Sequence, residues 1–262
     1  MFRRTILLRA ACGLAVALLA GGAARAAEIR VVSSGGFAAA YRALAPVFER
    51  ETGHRLIAEW GPSMGHTPQA VPARLARGEP IDVVIMVGYA LDALAEQGKV
   101  VPETRRALAR AGTAVAVRAG ARVPEIGTLD ALRQTLLAAS SIAYSDSASG
   151  VYVRDELFRK LGIAEAVGPK ARMIPAEPVG AVVARGEAEI GFQQLSELKP
   201  IPGIAIAGLL PAEVQLYTVF SAGQVAGSRE PEAARALIRF LASPEAAEAI
   251  RATGMEPLPA AP

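Results

Sequence analysis

Hydrophobic and polar residues alternate along this chain with two periods, one typical of a β-strand and one of an α-helix. The short β-branched run EIRVVSS (28–34) predicts a strand. In the next segment, FAAAYRALAPVFERETG (37–53), the apolar residues recur at helical spacing up to a glycine, which predicts a helix. The uninterrupted apolar run PIDVVIMVG (80–88) is typical of a parallel strand buried on both faces.

This alternation continues to the C-terminus. Strands are predicted at GTAVAVRAG (112–120) and QLYTVFSAG (215–223), and helices at GVYVRDELFRKLG (150–162) and in the last segment, 230–254. Alternating strands and helices predict an α/β fold with a parallel sheet covered by helices. There is no repeat and no low-complexity linker, so if the chain forms two lobes it passes between them more than once.

The first 26 residues have the composition of a signal peptide. Three arginines precede the apolar core AACGLAVALLA (10–20), and the small-residue stretch AARA (23–26) follows it. The apolar core is shorter than the roughly 20 residues that span a bilayer. We therefore expect cleavage after about Ala26, a periplasmic location and no membrane insertion of the mature chain. The single cysteine, Cys12, would leave with this segment, so no disulfide is expected.

The net charge of +3 also changes once this segment is removed. Four of its residues are arginines, which leaves 24 basic and 25 acidic residues in the mature chain. A nearly neutral chain without a long basic run makes nucleic acid a poor partner. The remaining 236 or so residues, from a chain that is 52 % hydrophobic, suffice for one large domain or two lobes.

Two small, hydroxyl-rich segments, SSGG (33–36) and SASG (147–150), each precede a predicted helix. The start of a helix presents unpaired backbone N–H groups and the positive end of the helix dipole, which together attract an anion. Glycine lets a ligand approach the backbone, and serine adds a hydroxyl donor. The segments therefore predict a small-molecule anion as ligand, although the serines could also be plain helix caps.

Over essentially its whole mature length, the sequence resembles the periplasmic solute-binding proteins of the molybdate-binding group. The resemblance implies a type II fold, in which two α/β lobes are joined by two hinge strands and enclose a ligand cleft. Lobe one would comprise residues 27–112 plus 222–262, and lobe two residues 113–221, including the hinge strands at 113–118 and 216–221. The segments that carry the resemblance are 29–53, 74–87, 145–162, 174–198 and 237–250.

The resemblance also implies ligand contacts, but these agree less well with the family pattern. One family serine position falls on Gly36, the family tyrosine position falls on Gln194, and the loop GPSMGHTPQA (61–70) is longer than usual. The cage for a tetrahedral oxyanion is therefore altered. The expected substrate-binding residues are Ser34, Gly35, Gly36, Ser63, Ser147, Ser149, Gly150, Tyr152, Val179 and Gln194.

A closer resemblance is to the bacterial aconitate isomerases, exported proteins that interconvert trans- and cis-aconitate. It implies an allylic proton shift on a tricarboxylate, which needs one acid/base group, donors for the developing charge and a closed cleft. No metal or organic cofactor is required, and no metal-ligand spacing occurs in the sequence. We expect His66, in the long loop, to be the base, because an imidazole titrates near neutrality; a structural histidine is the alternative.

Weaker candidates for ligand contact or proton transfer each have a structural or surface role as the alternative. They are Trp60, Arg118, Asp146, Arg154, Glu177 and Gln193. The rival function is that of a pure binding protein, which delivers a molybdate-like oxyanion or a di- or tricarboxylate to the permease of an ABC transporter. The two functions differ in whether a proton-transfer group faces the bound ligand.

Overall fold

The structure is a computed structural model, and it describes residues 26–65, 67–175 and 177–259. Residues 1–25 of the predicted signal peptide lie outside the described residues. The strands are β1 (Glu28–Ser33), β2 (Arg55–Trp60), β3 (Val83–Val87), β4 (Arg106–Arg118), β5 (Ile142–Ser145), β6 (Ala171–Ile174), β7 (Ile190–Gln194), β8 (Ile204–Leu209), β9 (Tyr217–Gln224) and β10 (Glu256–Pro257). The helices are α1 (Gly35–Thr52), α2 (Val71–Ala76), α3 (Gly88–Glu96), α4 (Leu129–Ala138), α5 (Ala148–Tyr152), α6 (Phe158–Lys160), α7 (Ala164–Val167), α8 (Val179–Ala184), α9 (Leu195–Leu198), α10 (Pro231–Leu241) and α11 (Ala247–Ala252).

The strands form a mixed sheet in the order β2-β1-β3-β9-β4-β7-β5-β6, with β8 and β10 also paired to β4. At one end β1 runs parallel to β2 and β3, and at the other end β5 runs parallel to β6 and β7. In the middle, β9 and β4 are antiparallel to their neighbours. The α/β class predicted from the alternation is confirmed. The antiparallel centre did not follow from that alternation.

Strand β4 connects the two parallel groups. Its first part, from Arg106 to Gly112, pairs with β9, and its second part, from Thr113 to Val117, pairs with β7. One continuous strand therefore passes from one half of the sheet to the other. The predicted hinge segments 113–118 and 216–221 lie on β4 and at the start of β9.

The buried side chains form two large hydrophobic clusters. One includes Phe37, Tyr41 and Phe48 of α1 together with the apolar residues of β1 and β3. The other gathers residues between 115 and 214, with Leu132 and Phe192 fully buried. The predicted lobe limits, 27–112 plus 222–262 and 113–221, remain a prediction. No helix in the described ranges is long and apolar enough to cross a membrane.

Two helices begin earlier than their apolar periodicity predicted. Helix α1 begins at Gly35, so both glycines of the first small segment belong to its first turn. Helix α5 begins at Ala148 and continues through a π-helical turn, Val153–Leu157, into α6. Ser149 and Gly150 are therefore inside this helix, and Ser147 is its N-cap residue. Small residues extend a helix without adding to its apolar stripe, which is why the pattern located these starts too late.

Candidate functional site

A cleft of about 620 Å³ lies where the two halves of the sheet meet. One half contributes the start of α1 and the loop that follows β2; the other contributes the loop after β5, the end of β7 and the start of α9. Another depression, of about 550 Å³, lies beside Asp82 and the loop 225–230 and contains none of the predicted site residues. The cleft is therefore the candidate site.

The start of α1 forms one wall of the cleft. Ser34 is only 5 % exposed, and its hydroxyl has no hydrogen-bond partner among the residues that the structure describes. A Cβ atom on Gly35 would lie 2.7 Å from Oε1 of Glu197, and one on Gly36 would lie 2.1 Å from Cζ of Phe220. Close packing against the Phe220 ring thus requires a glycine at position 36, whereas the atom that faces Gly35 is the end of a flexible side chain. A buried donor without a partner among the described residues remains beside the cleft.

The opposite wall contains a cluster of three serine hydroxyls. The Oγ atom of Ser145 lies 2.7 Å from that of Ser147 and 3.4 Å from that of Ser149. Ser149, fully buried, donates to Oε1 of Gln194 at 3.1 Å, and Nε2 of Gln194 donates to Thr218 at 3.4 Å. Ser147 and Gln194 line the cleft, while Ser149 supports Gln194 from behind.

Besides Ser149, three predicted contact residues do not line the cleft. A Cβ on Gly150 would lie 1.6 Å from the carbonyl oxygen of Ser145, so this glycine permits packing of α5 against β5. The hydroxyl of Tyr152 donates to the carbonyl oxygen of Val214 at 2.5 Å within the second hydrophobic cluster. Val179 is buried, and its N–H donates to Oε1 of Gln193 at 2.9 Å. Packing explains both Gly150 and Tyr152, and their contact with a ligand stays a prediction.

The long loop after β2 lines the cleft with residues that come before and after His66, the predicted base, in the sequence. Met64 and Thr67 line the cleft, and His66 itself lies outside the described residues. Ser63 also lines it, and its hydroxyl accepts the N–H of Val87 at 3.0 Å. Trp60 lines the cleft with its ring edge-on to Tyr41, at 5.9 Å between centroids.

The cleft also contains acidic side chains, namely Asp146, Glu177 and Glu197. Glu177 is paired with Arg185 at 3.1 Å. Within the described part of the chain, the lining contains no lysine or arginine. Of the predicted arginine candidates, Arg154 forms an exposed pair with the adjacent Asp155.

Glu197 is the functional candidate that the sequence analysis missed. Burial is the main cause that raises the pKa of its carboxyl; a hydrogen bond from the side-chain amide of Gln193 opposes this rise, the negative charge of Asp146 adds to it, and the resulting pKa is about 7. In the sequence this residue resembles an ordinary surface acid in a helical turn. The signal that could have found it is its position three residues after Gln194, close to two amides that were already suspected.

The fold and the cleft define a two-lobe solute-binding protein. The chain belongs to the bacterial extracellular solute-binding proteins, whose family model matches residues 29–256. In structure it is similar to the Azotobacter vinelandii periplasmic molybdate-binding protein, with a TM-score of 0.71 and 24 % identity over 88 % of this chain and 99 % of that one. It also matches the substrate-binding domain of a putative molybdenum ABC transporter from Clostridium difficile, with a TM-score of 0.69 and 18 % identity over 89 % of this chain and all of that one.

Sequence comparison adds a particular relative. The chain is 54 % identical over 234 residues to the aconitate isomerase of a Pseudomonas species, covering 89 % of each protein. It is 27 % identical over 242 residues to the molybdate-binding protein ModA of Azotobacter vinelandii, covering 88 % of this chain and 91 % of that protein. The resemblances expected from the sequence, to the molybdate-binding group and to the aconitate isomerases, are both confirmed.

Proposed function

We propose that this protein is an aconitate isomerase, which interconverts trans- and cis-aconitate by an allylic proton shift in the cleft. The observation that carries this proposal is the 54 % identity to aconitate isomerase over 89 % of both chains. The family assignment alone would indicate binding, whereas this relative points to chemistry. The volume of about 620 Å³ falls within the range of about 300 to 1,000 Å³ that is usual for small-molecule sites.

The reaction needs carboxylates held in place while a proton moves. The protein removes a proton from the methylene carbon, the double bond shifts along the allylic system, and a proton returns at the far carbon. Hydrogen-bond donors must therefore face the carboxylate on which negative charge develops. The unpartnered hydroxyl of Ser34, the N–H groups at the start of α1 and the hydroxyl of Ser147 line the cleft as suitable donors.

The charges that line the cleft affect how a tricarboxylate can bind there. A tricarboxylate must enter a cleft whose described lining holds three acidic groups and neither lysine nor arginine. The pairing of Glu177 with Arg185 and the raised pKa of Glu197 both reduce the negative charge that the ligand meets. His66, on the bordering loop, is the base that the sequence predicts, and the tricarboxylate remains a proposed ligand.

A second function, that of a receptor for an ABC transporter, is favoured by the family match over residues 29–256 and by the molybdate-binding relatives. In that case the cleft would bind an oxyanion or a carboxylate and release it unchanged to a permease. From the predicted signal peptide and the extracellular solute-binding family, we infer that the mature protein works in the periplasm.

The proposal is tested by incubating purified mature protein separately with trans-aconitate and with cis-aconitate and separating the isomers by chromatography. We expect both reactions to approach the same ratio of isomers, because an enzyme does not change an equilibrium. Unchanged substrate in both directions, with thermal stabilisation of the protein by molybdate and none by aconitate, would instead establish the receptor.

A further inference from the structure

We propose that Glu197, rather than the His66 that the sequence predicts, is the group that moves the proton between the carbons of the bound tricarboxylate, an inference that rests on the isomerase function proposed above. In the step, the Glu197 carboxylate removes the methylene proton. As that C–H bond breaks, the double bond shifts, and the protonated carboxyl then returns the proton to the carbon at the other end. The substrate and product are isomers, so no oxidant, reductant or other reactant is needed.

Glu197 lies in the cleft beside the first turn of α1. Helix α9 follows β7 directly, and its residue Glu197 lines the cleft. Oxygen Oε1 lies so near the first turn of α1 that a Cβ on Gly35 would be 2.7 Å away. A ligand carboxylate held by this turn and by the unpartnered hydroxyl of Ser34 is therefore within reach of the Glu197 carboxyl.

Hydrogen bonds of the neighbouring residues hold Glu197 in position. The hydroxyl of Ser196 donates to the carbonyl oxygen of Gly36 at 2.8 Å, which links α9 to α1. The N–H of Val179 occupies Oε1 of Gln193 and leaves the amide nitrogen to bond the Glu197 carboxyl. Gln193 is thus a positioning residue, and the carboxyl is held in one place, as proton transfer requires.

The charges around Glu197 also suit a group that accepts and donates a proton. Burial and the facing Asp146 raise the pKa of Glu197, and Gln193 is a neutral neighbour that opposes the rise. Glu177, the other acid of the lining, is already paired with Arg185, and α1 has no acidic residue in its first turn. A carboxyl whose pKa is raised to about 7 can both accept and donate a proton at neutral pH.

The decisive experiment compares Glu197→Gln with wild type. Glutamine keeps the shape but cannot accept the methylene proton, so we expect kcat to fall by about 100- to 10,000-fold, the usual contribution of a general base. Binding of trans-aconitate, measured calorimetrically at pH 8, should be as tight as wild type or tighter, because a negative charge has been removed. Glu197→Asp should recover part of the lost rate. The matched control is Glu232→Gln, since the Glu232 side chain is 84 % exposed on α10, and it should retain wild-type kcat.

The pH profile separates chemistry from a structural effect. The kcat/KM of wild type should rise as pH increases through about 7, where Glu197 becomes the carboxylate that can act as base, and Glu197→Gln should lack this rise. If wild type isomerises aconitate and Glu197→Gln keeps its kcat, the inference about Glu197 is overturned and the isomerase stands. Parallel loss of binding and turnover in the variant also overturns it, by making Glu197 a binding residue. If wild type itself does not isomerise aconitate, the proposed function fails first.

Discussion

Gly150 offers the sharpest test of how the serine wall of the cleft is built. In Gly150→Ala, the new Cβ would lie 1.6 Å from the backbone oxygen of Ser145, whereas ordinary contact begins at 3.4 Å. Helix α5 or the end of β5 must therefore move apart by roughly 1.8 Å, a large shift for a closely packed interior. Overpacking of this kind costs about 1 to 3 kcal/mol. Because the clash is with backbone, we expect the upper end of that range.

Helix propensity partly offsets this cost, because alanine is favoured over glycine inside a helix by about 1 kcal/mol. The net loss is about 2 kcal/mol, which for a chain of this size lowers Tm by about 4 to 8 °C. Thermal unfolding followed by circular dichroism measures the change. The matched control is Gly127→Ala, where nothing lies within 4 Å of the new Cβ, and its Tm should stay within about 2 °C of wild type. Equal melting of the two variants would refute the close packing of α5 on β5.

Two further predictions concern single hydroxyl groups. Ser34→Ala should leave Tm nearly unchanged, because the hydroxyl has no partner among the described residues. It should weaken trans-aconitate binding by about 10- to 100-fold, the value of a hydrogen bond to a charged group. Unaltered affinity in calorimetry would remove Ser34 from the site. Tyr152→Phe should lower the free energy of unfolding by about 1 kcal/mol through loss of the hydrogen bond to Val214, and it should leave KM unchanged. A raised KM with unchanged unfolding in urea would instead show that Tyr152 contacts the ligand.

The sequence predicted the local elements of the fold better than their arrangement. The apolar period of α1 and its end at Gly53, which has φ 72°, follow from local chemistry alone. The antiparallel pairing of β4 with β9 depends on residues about 100 positions apart in the chain, and no local period encodes it. The alternation of strands and helices therefore predicted the class of fold and left the centre of the sheet open.

The same limit explains what was found and missed at the site. Ser34 and Ser147 were predicted because small polar residues before a helix have a local physical meaning, and both line the cleft. Gly150 looked identical in sequence, yet its role is decided by the distance to a strand that only the folded chain brings near. Glu197 was missed because its pKa depends on burial and on Asp146, which is 51 positions earlier in the sequence.

The central claim is that this solute-binding fold performs proton-transfer chemistry on aconitate, and one measurement tests it most directly. Purified mature protein is incubated with trans-aconitate in deuterated buffer, and proton NMR spectra are recorded over time. We predict that the vinyl and methylene signals of cis-aconitate appear at the expense of the trans isomer, and that the same sample of Glu197→Gln stays unchanged. Trans-aconitate signals that broaden on binding to folded wild-type protein but never convert would contradict the claim and leave a binding protein.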